Sequence, residues 1–139
     1  MKVKTQITVE TTVDTSIEKA WEYWTEPKHI TKWNFASDDW ICPVAENDLR
    51  VGGRFSYRME ASDKSVAFDF AGEYLAVEEF TRIEYRIDDD RMVWVEFSVV
   101  DGQTRILETF EAENLHPAEM QAAGWQAILN NYKKHAESF

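Results

Sequence analysis

The groups able to do chemistry in this 139-residue chain are three histidines, one cysteine and many carboxylates. His29, His116 and His135 fall in no H-x-H, H-E-x-x-H or C-x-x-C arrangement, so their spacing signals no metal site. Each reads as a structural or solvent-facing side chain, and His135 suits the negative end of a helix. Cys42 has no flanking motif that would mark a nucleophile and reads as an inert thiol. No serine sits in a G-x-S-x-G elbow. Acidic runs such as Asp38-Asp39 and Asp88-Asp89-Asp90 read as solvated turns, whereas Asp69, Glu73, Glu96 and Glu108 fall inside strand patterns. A carboxyl turned into an apolar interior keeps its proton to higher pH and can serve as a general acid or base. Glu96 shares parity with Trp94, and Glu108 with Ile106 and Phe110, which makes these two the catalytic candidates. Gly52-Gly53 precedes a strand and not a helix, so neither a phosphate loop nor a nucleotide cofactor is implied; no cofactor is expected.

The elements that must position these groups are legible in the periodicity. Val3, Thr5, Ile7, Val9, Thr11 and Val13 alternate with polar residues, the signature of a long, half-buried strand. Thr15 to Glu18 reads as a capping box with Thr15 as cap, and Ile17, Ala20, Trp21 and Trp24 follow at helical spacing. Pro27 opens a second short helix that runs to Trp33. The segment from Asn34 to Asp48 has no period and reads as a loop with large apolar side chains. Strand patterns then cover Arg54–Ala61, Ala67–Val77, Arg82–Ile87, Arg91–Val100 and Gln103–Glu111, with a kink expected at Gly72 and a two-residue hairpin at Asp101-Gly102. Trp125, Ile128, Leu129, Tyr132 and Ala136 stripe a closing helix from about Ala118 to Glu137, in which Gly124 suggests close packing. One strand, two short helices, a meander and one long helix predict an α+β fold: a curved antiparallel sheet of six to seven strands wrapped around the C-terminal helix.

Composition narrows the class. With 15 Lys+Arg against 26 Asp+Glu, the formal charge is −11, which disfavours nucleic acid and anionic membrane as partners. No apolar run approaches the ~20 residues of a membrane span, and no apolar leader follows the initial lysines. One cysteine excludes a disulfide scaffold and points to a reducing compartment, the cytoplasm. The length suits one domain over residues 1–139.

The order of elements and three stretches, WEYWTEPKHITKW, DLRVGGRFSYRM and AAGWQAILNNYKKH, resemble the activator of heat-shock protein 90 ATPase-like family of the START/Bet v 1-like (SRPBCC) superfamily. The resemblance spans Ile7 to about Ala136. It implies a helix-grip fold with a cavity between the long helix and the concave sheet, in a superfamily whose relatives bind sterols, lipids, polyketides or plant hormones. Some relatives act as cyclases. The family's name implies a chaperone partner.

A sheet bent around one narrow apolar stripe encloses more space than the stripe fills. The expected lining is Phe55, Tyr57, Phe68, Phe70, Trp94 and Phe110 from strands, with Met120, Gly124 and Trp125 from the helix and Trp33, Phe35 and Trp40 at the mouth. With 6 Trp, 5 Tyr and 8 Phe, side chains could instead plug the interior. Three functions stay open at this level. A hydrophobic small molecule could be held in the cavity, a cavity carboxylate could support a cyclase or hydrolase, or an acidic surface could modulate a chaperone ATPase. A homodimer is compatible with each.

Overall fold

The computed structural model describes residues 5–139, and Val3 of the first alternating segment lies outside them. The chain forms β1 (Gln6–Val13), α1 (Ile17–Thr25), α2 (Pro27–Trp33), β2 (Trp40–Ile41), β3 (Ala45–Asn47), β4 (Arg54–Ala61), β5 (Ala67–Glu78), β6 (Arg82–Ile87), β7 (Met92–Val100), β8 (Gln103–Glu111) and α3 (Ala118–Ala136). All pairings are antiparallel, in the order β1-β8-β7-β6-β5-β4-β2, with β3 also on β4. The short strands β2 and β3 arise in the segment expected to be a loop; they are too brief for alternation to reveal. The sheet curls into a half-barrel that α3 closes, as the helix-grip expectation requires.

Local chemistry explains most boundaries. Ser16, not Thr15, caps α1: its Oγ accepts the Lys19 N–H at 3.3 Å, while extended backbone at Ser16 turns the chain into the helix. Asp101 and Gly102 both adopt positive φ, +51° and +78°, the turn whose twist matches the β7–β8 hairpin. Gly72 is a close approach and not a kink. A Cβ there would meet the Arg86 carbonyl at 2.4 Å and the Phe55 ring at 3.0 Å, and the irregularity of β5 lies instead between Tyr74 and Ala76.

The position of α3 decides where space remains. The helix lies along β1, an edge strand, and its side chains cover that strand's carbonyls. Gln126 Nε2 donates to the Glu10 carbonyl at 3.1 Å and Lys133 Nζ to that of Thr12 at 2.6 Å. At the same end, α1 and α2 fill the half-barrel. Trp24 packs against Trp33, Tyr132 and Phe97 with ring centroids 5.1, 4.9 and 5.8 Å away, and Trp21 adds an edge contact to Phe97 at 5.2 Å. Buried donors in this plug are satisfied: Trp33 Nε1 donates to the Tyr23 carbonyl and Tyr132 Oη to that of Ala20. One end of the bowl is therefore solid. Toward β4, β5 and β6 the helix stands off the sheet.

Candidate functional site: a ring-lined cavity with a buried carboxyl

The gap between α3 and β4–β6 is a cavity of about 280 Å³. Its walls are Phe55, Tyr57 and Met59 from β4, Phe68, Phe70 and Tyr74 from β5, and Ile83 and Tyr85 from β6. Trp125, Ile128 and Leu129 roof it from α3, Trp24, Trp33 and Asn34 close the plugged end, and Glu108 and Arg91 complete the lining. That volume lies just below the roughly 300–1,000 Å³ of typical small-molecule sites.

The structure sorts the residues expected on this wall. Trp33, Phe55, Tyr57, Phe68, Phe70 and Trp125 line the cavity. Trp33 does so from the closed end, 5% exposed, while the half-exposed Phe68 stands at the rim. Phe110 lies beneath the roof, fully buried, with Trp125 stacked on it at 3.9 Å. Trp40 packs edge-on to Phe68 at 5.9 Å, outside the wall, and the carbonyl of Phe35 accepts from Asn131 Nδ2. Met120 is exposed, and Gly124 has nothing within 4 Å of a built Cβ, so the close packing expected there is absent.

Trp94 corrects the reading of β7. The buried positions are Val93, Val95 and Phe97, so Trp94 and Glu96 face outward; Trp94 Nε1 donates to Glu84 Oε1 at 3.1 Å, and Glu96 is exposed. Met92, Val93 and Trp94 are apolar at both parities, which leaves alternation undecided until the β8 register is known. That register pairs Val95 with Glu108.

Glu108 is the inward acid. Across the sheet one row of opposed residues runs Val9, Glu108, Val95, Ile83 and Val77, so a single carboxyl stands among aliphatic side chains. It is 6% exposed and makes no hydrogen bond to a described residue, and loss of hydration pushes its pKa up to about 8. Tyr85 lies in the adjacent row, opposite Val93. Burial, and secondarily the nearby Glu108, hold its hydroxyl well above the ordinary tyrosine value. Short Val93 and Val95 side chains separate the two groups and keep the floor low between them.

The other polar groups of the lining already have partners. The Tyr57 hydroxyl lies beside that of Tyr74, Tyr74 Oη donates to Asn47 Oδ1 at 2.5 Å, and Asn47 Nδ2 donates to the Thr25 carbonyl at 2.7 Å. Asn34 Nδ2 reaches Met59 Sδ at 3.6 Å. Arg91 places Nε against the Asp89 carboxylate at 2.9 and 3.1 Å.

Several lining residues escaped the sequence reading. Tyr74, Ile83 and Tyr85 fall on the inward faces that alternation gives, and which inward residues border the gap depends on where α3 stands off the sheet. Arg91 enters from a turn, for which no periodic signal exists.

Outside the cavity, His29 Nδ1 and His135 Nε2 meet at 2.9 Å, bringing α2 and α3 together, and Glu22 lies 3.7 Å from the other nitrogen of His29. Cys42 is buried, its Sγ 3.7 Å from the Val44 carbonyl, and burial pushes its pKa up to about 11, so the thiolate is suppressed. Arg54 and Arg58 pair with Asp88 and with Glu60 and Asp69 at the surface. Among the described residues no three of His, Cys, Asp and Glu are placed to hold a metal ion, and no helix is long and apolar enough to cross a membrane.

Comparison with known proteins agrees with this geometry. A solution NMR structure of an AHSA1-like protein from Aeromonas hydrophila superposes with a TM-score of 0.91 at 42% identity, over 96% of this chain and 93% of that one. Chr148 from Cytophaga hutchinsonii, also solved in solution, shares 48% identity with a TM-score of 0.84, over 95% and 92%. CV1439 from Chromobacterium violaceum shares the fold at 22% identity, with a TM-score of 0.86 over 97% and 99%. No curated protein matches the sequence. The model of the family described as activator of Hsp90 ATPase homolog 1-like protein matches residues 14–137, and the chain belongs to that family, within the SRPBCC superfamily.

Proposed function

We propose that this protein holds a small, largely apolar or aromatic molecule between α3 and the concave face of β4–β6. The observation that carries the reading is the cavity itself: about 280 Å³ left open in an interior rich enough in rings to have filled it. Protein interiors ordinarily leave few voids larger than a water molecule. A folded chain that keeps such a space beside a solid aromatic plug keeps it at a cost in dispersion contacts. This role requires no chaperone partner and no second copy of the chain. The free, buried Cys42 supports a reducing compartment such as the cytoplasm.

The test is titration with an uncharged hydrophobic fluorescent probe such as N-phenyl-1-naphthylamine, followed through tryptophan emission and by native mass spectrometry. Saturable one-to-one binding is expected, abolished by Ile128→Trp, which fills the space from the helix. Failure to bind this probe and a panel of uncharged aromatics overturns the reading.

A second reading is favoured by Glu108. With a pKa near 8 this carboxyl carries its proton at neutral pH and faces the cavity, the condition for a general acid in a cyclase, dehydratase or hydrolase. Turnover abolished in Glu108→Gln with probe binding retained supports catalysis. Equal turnover in both forms removes it.

A further inference from the structure

Building on the ligand-holding role proposed above, we propose that the cavity's ligand carries a cationic nitrogen, an amine on a small apolar or aromatic body, and that Glu108 is its counter-ion. Glu108 is 94% removed from solvent by its 6% exposure, and it lines the cavity without a hydrogen bond to any described residue. Buried carboxyls are ordinarily paired, because an isolated ionised one is costly to desolvate. Protonation spares Glu108 that cost, and the cavity it lines is the side from which a charged partner can reach it.

The surroundings select the charge of that partner. A neutral donor or acceptor on a ligand would be served as well by a hydroxyl or an amide at this position, without the penalty of an acid. Such neutral groups are present in the lining: Tyr74 and Asn34 are occupied by protein partners, and Tyr85 brings a further hydroxyl to the wall that could serve a neutral ligand group. A cationic nitrogen is the group for which a carboxylate has no neutral substitute. The rings of Phe55 and Tyr85 border the same space, and a cation that leaves water is stabilised over the face of such a ring. Arg91, the cation of the lining, does not occupy the role, because its Nε is engaged by Asp89 and burial alone accounts for the raised pKa of Glu108. The formal charge of −11 enriches cations around the molecule before they enter.

Proton balance follows. The free amine arrives as R–NH₃⁺, the Glu108 carboxyl releases its proton to the buffer, and the complex is the ammonium–carboxylate pair. Close to one proton per site is therefore released near pH 7.

Three probes of matched size decide the matter: 4-phenylbutylamine, pentylbenzene and 4-phenylbutyrate, titrated calorimetrically near pH 7 in phosphate and in Tris. The amine is expected to bind about tenfold or more tighter than either other probe, with proton release read from the buffer dependence. Glu108→Gln should erase that advantage and the proton release while leaving pentylbenzene binding intact. An amine that binds no tighter than pentylbenzene, or an advantage that survives in Glu108→Gln, overturns the assignment of Glu108 while the ligand-holding role stands. Absence of binding by all three overturns both. Should Glu108→Gln fail to fold, buffer-independent heats for the amine in the unaltered protein overturn the proposal by themselves.

Discussion

Trp125 stacks on Phe110 with ring centroids 3.9 Å apart and 7° between planes, and this one contact sets the height of α3 above β8. On its other side Trp125 meets Phe70 edge-on at 6.1 Å, so the same indole is both the support of the helix and the roof of the cavity. Truncating it removes the stack and enlarges a void that already exists. Trp125→Ala should lose about 2–4 kcal/mol in urea denaturation at unchanged m-value. Trp125→Phe keeps the stack and should lose less than about 1.5 kcal/mol.

Why the sequence exposed some of this site and hid the rest is a matter of range. Alternation is a local signal, and it identified Phe55, Tyr57, Phe68 and Phe70 on one face because their neighbours are polar or small. It failed at Trp94, where both faces of β7 begin apolar and only the pairing with β8 assigns the inside. The hairpin at Asp101-Gly102 fixes that pairing, so the information was present one element away. Glu108 was legible as a candidate through its parity with Ile106 and Phe110, yet not its lack of a partner, which depends on four other strands. The meeting of His29 with His135 depends on how two helices pack across 106 positions of sequence, and no spacing rule reaches that far.

Glu108 gives stability an unusual slope with pH. In the unfolded chain the carboxyl titrates near its ordinary 4.5, whereas in the folded protein burial raises the value to about 8. Between these values the folded state holds a proton that the unfolded state has lost, so this contribution to stability is complete below about 4.5 and declines as pH rises to about 8. The loss is on the order of 4 kcal/mol across the window. Glu108→Gln, which keeps the shape without the charge, should flatten this decline and be more stable than the parent near pH 8, as read by thermal unfolding across pH.

His135 acts in the opposite sense. Burial, and then the neighbouring His29 and Lys32, lower the pKa of His135 below its ordinary 6.5. The unfolded chain therefore takes up protons first as pH falls, and the stability owed to a neutral His135 is present above about 6.5 and lost on acidification through the lower folded value. In Glu108→Gln, where the carboxyl no longer masks it, the melting temperature should fall as pH drops below about 6.5. His135→Gln on that background should remove the fall. An NMR titration should place the His135 midpoint below the ordinary 6.5, and a midpoint at or above that value would contradict the packing of α2 on α3.

Tyr132 tests the plug separately from the cavity. Its ring is fully buried between Trp24 and Trp33, and its Oη donates to the Ala20 carbonyl at 2.6 Å, tying the middle of α1 to the last turns of α3. Tyr132→Phe retains the ring contacts and removes only the donor. A loss of about 1–1.5 kcal/mol is expected in urea denaturation, with probe binding unchanged because Tyr132 is not on the cavity wall.

Gly124 offers a gain where the others predict losses. It sits within α3, one residue before the Trp125 roof, and a Cβ built on it touches nothing within 4 Å. Its φ is not positive, so an alanine meets neither strain nor collision. Glycine in a helix interior costs about 1 kcal/mol against alanine, through unfolded-state entropy and solvent-exposed backbone. Gly124→Ala should therefore raise stability by about 0.5–1 kcal/mol. If the backbone freedom at Gly124 instead serves ligand entry by letting the first turns of α3 lift from Phe70, the same substitution should slow probe association measured by stopped flow while leaving the equilibrium affinity nearly constant. Unchanged association with raised stability would mean that the roof is rigid and that ligand enters past the exposed Phe68 at the rim.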